Sequence, residues 1–185
     1  MKSSLYPPRI DCFLPYGTET QLSQLVEQIK GSGVVRRFHV ICTKGFKGLL
    51  PDGCLPLAAE NLSGTAVFEE IAKRCEAEYC LLYQKTLPLE LGFHALERWL
   101  RVADDTQAAM IYADHYTVKD GQRQPKPLID YQPGSLRDDF DFGPLVLIRT
   151  DALKAYTSQG GMPDYQFAGW YDLRLSLSRH GELFH

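Results

Sequence analysis

Several things are missing from this sequence, and each absence narrows the reading. No window of the 185 residues is apolar for long enough to span a bilayer. The opening stretch MKSSLYPPRIDCFLPYG lacks the apolar run of a signal peptide, so neither a spanning segment nor a secretory leader is expected. Positive charge is not in excess. Lys and Arg number 20 against 23 Asp and Glu, giving a net charge of −3, which removes the electrostatic case for a nucleic-acid partner. Cysteine is sparse and unpatterned. The five are Cys12, Cys42, Cys54, Cys75 and Cys80, an odd count with no C-x-x-C pair, so neither a disulfide framework nor a zinc site is indicated. Reduced thiols in a cytoplasmic protein fit best. His39, His94, His115, His180 and His185 show no metal-ligand spacing, and His39 reads as a hydrogen-bonded core or edge residue inside a strand. No G-x-G-x-x-G follows the first strand, and neither a Walker Gly-Lys-Ser/Thr nor a G-x-S-x-G elbow occurs. Lys30-Gly31-Ser32-Gly33 follows a helix rather than a strand, so it reads as a helix stop and not a phosphate loop. There are no repeats and no low-complexity tract.

What is present is an ordinary globular composition, 44% apolar and 23% charged, in a length that suits one domain with its own core. IDCFLP (10–15) reads as a strand, followed by a turn and helix cap at Gly17-Thr18-Glu19-Thr20. Leu22, Leu25, Val26 and Ile29 give a helix at i, i+3, i+4, i+7. FHVICT (38–43) reads as a second strand, and 44–63 as mostly loop. Residues 65–76 form a helical pattern, 79–83 a third strand, 89–103 a helix with Phe93, Leu96, Trp99 and Leu100 inward, and 110–113 a fourth strand. This β-α-β-α-β-α-β order with near-continuous apolar strands predicts a three-layer α/β fold with a mainly parallel, doubly wound sheet. Lys119-Asp120-Gly121-Gln122 then signals a hairpin turn, 144–148 a strand, 151–158 a short helix and 168–180 a last helix. The closing GELFH reads as the start of a further strand. The expectation is a single domain over 1–185, cut at its C-terminus from a longer protein.

Ligands in such sheets sit at the carboxyl ends of the strands. Those ends carry Tyr16-Gly17-Thr18, Thr43-Lys44-Gly45, Gln84-Lys85-Thr86 and Asp114-His115. The densest acidic group is Asp138, Asp139 and Asp141 in RDDFDF. With Asp114 it could supply the hard oxygen ligands that Mg²⁺ or Mn²⁺ wants; equally, these aspartates could cap backbone and pair with Arg137. Asp172 lies on the last helix near Arg174, either facing a cleft or pairing with a basic side chain.

The order of these elements resembles the family-2-like glycosyltransferases of the A-type fold over nearly the whole chain, from Ile10 to His185. IDCFLPYGTETQLSQLVEQI is similar to the family's strand ending in Pro-x-Tyr-Asn before its first helix, with Pro15-Tyr16-Gly17 in that place. GTAVFEEIAKRCEAEYCLLY resembles the helix and strand leading to the family's metal motif. IYADHYTVKDGQ resembles its Tyr-Ser-Asp segment and following hairpin, FGPLVLIRTDAL its strand and helix beside the acceptor, and AGWYDLRLSLSRHGELFH the segment holding its Glu-Asp pair.

The resemblance implies a nucleotide-diphosphate sugar as donor and a glycan or lipid-linked acceptor. The setting it implies is glycan assembly on the cytoplasmic side, with peripheral membrane association. It implies a Mg²⁺ or Mn²⁺ ion on an Asp-x-Asp motif and a carboxylate base. On this chain Pro15, Tyr16, Gly17, Thr43, Lys85 and Asp114 would then line the nucleotide site. Asp114, Asp139 and Asp141 would be the metal candidates, with Asp172 and Asp139 the catalytic ones. The chain departs from the family pattern at the chemical positions. Cys42-Thr43-Lys44 stands where acids follow the second strand, Gln84-Lys85-Thr86 stands for Asp-x-Asp, and Gly169-Trp170 stands for Glu-Asp. Three readings follow. One is a glycosyltransferase using Lys85 or the 138–141 aspartates. The second is a domain that binds a sugar nucleotide or glycan without transfer and supports a neighbouring domain. The third is a nucleotidyltransferase, which needs a Gly-rich basic loop that PYGTET does not supply.

Overall fold

In the computed structural model, residues 7–135, 137, 139–158 and 163–185 are described. Strand β1 (Ile10–Pro15) is buried along its whole length and alternates between two cores. Ile10, Cys12 and Leu14 meet helix α1 (Glu19–Lys30), whose buried stripe is Leu22, Leu25, Val26 and Ile29. Phe13 meets the opposite layer. Thr18 caps α1 by accepting from the Gln21 amide, and Gly31 ends it. Strand β2 (Val35–Cys42) pairs parallel to β1. Strand β3 (Cys54–Ala58) pairs parallel to β2 inside the stretch expected to be loop. Pro56 hides it from a pattern reading. As an outermost strand, β3 tolerates a residue with no amide to donate.

Helix α2 (Thr65–Arg74) leads to β4 (Tyr79–Tyr83), which lies parallel to β1. Helix α3 runs from Ala95 to Thr106, six residues later in its start than the pattern suggested. Phe93 is 88% exposed rather than inward, because the loop before α3 is held elsewhere: the Leu91 amide donates to Gln28 Oε1 at 2.9 Å and Tyr83 Oη to the Leu87 carbonyl at 2.8 Å. Strand β5 (Met110–Ile111) is short. Next comes a hairpin of β6 (His115–Lys119) and β7 (Gln122–Lys126), turning through Asp120 and Gly121. Both turn residues have positive φ, 52° and 74°, as a two-residue hairpin loop requires. Strand β8 (Leu145–Arg149) inserts antiparallel between β4 and β5. Helix α4 (Thr150–Ser158), helix α5 (Gly169–His180) and β9 (Leu183–Phe184), parallel to β5, complete the order.

The main sheet runs β3-β2-β1-β4-β8-β5-β9. Helices α1 and α3 cover one face, and α2, α4 and α5 the other. This is the mainly parallel three-layer α/β architecture anticipated above. His39 corrects one expectation. It is 3% exposed and stacks on Phe13 at 4.7 Å between centroids, yet neither ring nitrogen has a hydrogen-bond partner among the described residues. No helix among the described residues is long and apolar enough to cross a membrane.

Candidate functional site

The C-terminal edge of the parallel strands gathers the ends of β1, β2 and β4. Pro15 is buried opposite Ile41 in the ladder, and the Tyr16 amide extends the pairing to the Ile41 carbonyl at 2.9 Å. The half-buried Tyr16 ring lies 4.4 Å from that of Phe46. Gly17 packs directly against the β4 tip. A Cβ there would come within 2.8 Å of the Thr86 carbonyl oxygen, so only glycine lets the two loops meet. Thr43 is exposed just beyond β2, and its neighbour Lys44 is paired with Glu60 at 2.6 Å. The structure therefore brings Tyr16 and Gly17 to the tip that carries Lys85.

Behind that tip lies a cavity of about 290 Å³. Ile41, Leu82 and Ile71 line it with aliphatic carbon, and Phe68 and Trp170 supply aromatic rings 6.1 Å apart. Gln84, Lys85 and Phe167 also line it. Phe167 is 86% exposed, which puts it at the mouth. Gln84 is fixed through its backbone amide on the Pro144 carbonyl, while its buried Nε2 has no hydrogen-bond partner among the described residues. Lys85 is exposed and makes no ion pair among the described residues. No aspartate or glutamate is among the described residues that line the cavity.

The aspartates singled out above are held elsewhere. Asp114 accepts from the Leu128 amide at 2.7 Å and from His185 Nε2 at 3.0 Å. The Leu128 amide, then His185, hold its carboxyl below the usual range. His185 Nδ1 meets Asp130 at 2.7 Å, and its ring stacks on Tyr112. With both ring nitrogens engaged, His185 clamps β9 to the β5 tip and has no lone pair left to act as a base. Asp139 pairs with Arg137 at 3.1 Å, and Asp141 accepts from the Gly143 amide at 2.7 Å. Asp138 lies outside the described residues. Among the described residues, no three His, Cys, Asp or Glu side chains are grouped so as to hold a metal ion. The β4 tip offers an amide, an ammonium and a hydroxyl, and that donor set does not fit Mg²⁺ or Mn²⁺.

Asp172 is turned onto α4. The Tyr156 phenol donates to its Oδ2 at 3.0 Å, and burial, then that carboxylate, push the phenol's pKa upward. One helical turn earlier, Gly169 explains the missing carboxylate of the resembled family. A Cβ on Gly169 would fall 2.4 Å from Gly64 C and 2.6 Å from the Thr65 nitrogen. The starts of α2 and α5 are pressed together here, with the Gly169 amide on the Ser63 carbonyl at 2.8 Å and the Thr65 amide on the Tyr165 carbonyl at 2.9 Å. The aromatic lip at 167–171 was legible only as a packing face. Asp130 and its contact with His185 carried no signal, since 55 residues separate them.

The fold defines a class: this is a nucleotide-diphospho-sugar transferase-like architecture. Its particular likeness is to the crystal structure of 2-C-methyl-D-erythritol 4-phosphate cytidylyltransferase from Thermus thermophilus, with a TM-score of 0.51 and 12% identity over 93% of this chain and 85% of that one. At that identity the likeness is one of fold. No protein-family model matches the chain, and no curated protein matches it.

Proposed function

We propose that the chain binds a nucleotide-diphosphate sugar at the C-terminal edge of its sheet without a divalent metal, as a glycosyltransferase-like domain that holds its ligand rather than turning it over. One observation carries this reading: Lys85, an ammonium with no carboxylate partner among the described residues, stands where the resembled family places its metal motif and opens onto an acid-free cavity. A lysine brings its positive charge to a diphosphate directly, with no ion between. Removing a hydroxyl proton needs a base within hydrogen-bond reach, and Asp172 and His185 are both committed to other partners. The fold neighbour's nucleotidyl transfer is the less favoured chemistry, because the β1 turn PYGTET holds a single glycine and no basic residue.

A second reading, transfer of the sugar to a glycan or lipid-linked acceptor on the cytoplasmic side of a membrane, is favoured by the same Lys85. A cation at that point also stabilises a departing diphosphate. Calorimetric titration with UDP- and GDP-sugars, with Mn²⁺ and then with a chelator, separates the two. Binding should be indifferent to metal, weakened roughly tenfold or more by Lys85→Ala, and unaccompanied by release of free or transferred sugar. Sugar release would establish the second reading. A strict requirement for Mn²⁺, or unchanged affinity in Lys85→Ala, would overturn the role given to the lysine.

A further inference from the structure

The cavity behind Lys85 has a shape and a polarity that select a ligand part. We propose that it is a base pocket: a single-ring nucleobase lies against Trp170, its edge meets the Gln84 amide, and its phosphates pass out over Lys85. The inference rests on the diphosphate reading of Lys85 and adds the identity of the base.

Three observations point to it. The wall is aromatic. The Trp170 indole is backed by the Arg174 guanidinium at 5.6 Å and neighbours Phe68 at 6.1 Å, and aromatic faces of this kind stack on planar bases. The one polar group set into the apolar surround is Gln84, whose buried Nε2 has no hydrogen-bond partner among the described residues. A buried amide nitrogen is ordinarily hydrogen-bonded. A primary amide presents a donor and an acceptor side by side, which matches the alternating edge of uracil or cytosine. The volume, about 290 Å³, lies at the small end of ligand pockets, enough for one ring and part of a ribose but not for a fused purine with its sugar. A sugar ring fits the chemistry less well. Its several hydroxyls need partners all round, and Ile41, Leu82 and Ile71 supply none.

The test is a titration with UDP, CDP, GDP, uridine and inorganic pyrophosphate, read by calorimetry and tryptophan fluorescence. UDP or CDP should bind roughly tenfold or more tighter than GDP, and Gln84→Leu should weaken uridine and UDP by about that factor while leaving pyrophosphate unchanged. Retained pyrophosphate binding also shows that the variant is folded. Trp170→Phe should remove the uridine-induced fluorescence change, since Trp99 lies on α3 against the other core. Equal affinity for GDP and UDP, or uridine binding indifferent to Gln84→Leu, overturns the base pocket. The two proposals fail separately. Loss of uridine binding with Lys85-dependent pyrophosphate binding intact removes only the pocket. Gln84-dependent uridine binding with pyrophosphate indifferent to Lys85→Ala removes only the diphosphate role.

Discussion

Asp11 sits on β1 with no solvent exposure, and four donors converge on it. Arg36 Nε and Nη2 reach its two oxygens at 3.0 and 2.6 Å, and the Glu76 and Ala77 amides donate to Oδ2 at 2.8 and 2.9 Å. Burial alone would raise its pKa. Arg36 and the two amides outweigh that and hold it below the usual carboxylate value. The contacts tie the turn between α2 and β4 to the first two strands, at the end of the sheet opposite the cavity. Asp11→Ala leaves two buried amides and an arginine without their acceptor. The expected cost is about 3 kcal/mol, the lower end for a broken buried pair, because Arg36 can still reach Glu76 at 3.0 Å. That corresponds to a melting temperature lower by roughly 6–12 °C for a domain of this size. Asp11→Asn keeps an acceptor for the amides and should lose less. Denaturant unfolding of both variants checks the order, and an Asp11→Ala protein as stable as its parent would refute the anchoring role.

At the scale of elements, the contact between the starts of α2 and α5 shapes the site more than any strand does. It closes one side of the cavity and excludes a side chain at Gly169. Glycine at a helix start is ordinarily a small liability, and alanine there would stabilise by a fraction of a kcal/mol. Here the sign reverses, because the new Cβ would meet backbone at 2.4 Å and the two helices would have to separate. Gly169→Ala should destabilise by about 1–3 kcal/mol, whereas Gly92→Ala, with open space around it, should be close to neutral. Thermal melts of the two variants side by side decide the point, and equal behaviour would remove the packing argument.

This contact also marks what local pattern can and cannot convey. β1 and β4 were legible residue for residue because each is a short apolar run bracketed by turn chemistry. The start of α3 was not, because its position is set by Gln28 and Tyr83 reaching the preceding loop, and no periodicity encodes those partners. The Lys85 tip could be read from the end of its strand. The pairing of Gly64 with Gly169 could not, since it joins residues about a hundred positions apart.

Across the whole molecule, charge is distributed unevenly between the two cores. Among the described residues, the buried polar or charged side chains are Asp11, His39, Thr65, Thr150, Arg174 and Ser176. Thr65, Thr150, Arg174 and Ser176 belong to α2, α4 and α5, while Asp11 and His39 alternate with the core residues of the α1 and α3 side. The α1 and α3 core is correspondingly apolar, so acid should act on one layer first. His39 makes the prediction specific. Burial pushes its pKa below the ordinary value near 6.5, and Arg74, Arg37 and Arg36 lower it further against the opposing pull of Asp11. The native state therefore refuses a proton that the unfolded chain takes up as the pH falls below about 6.5. Unfolded chains then bind more protons than folded ones, and stability declines with falling pH until the folded value is reached. Asp11, whose pKa is depressed, keeps its contribution until still lower pH. Hydrogen exchange at about pH 7 and about pH 5 should show protection lost in α2 ahead of α1 and α3. His39→Phe keeps the stacked ring on Phe13 and removes the titrating nitrogens, so it should flatten the decline in melting temperature over the same interval. If the mutant and its parent lose stability equally between those two pH values, His39 is not the residue through which acid reaches this fold.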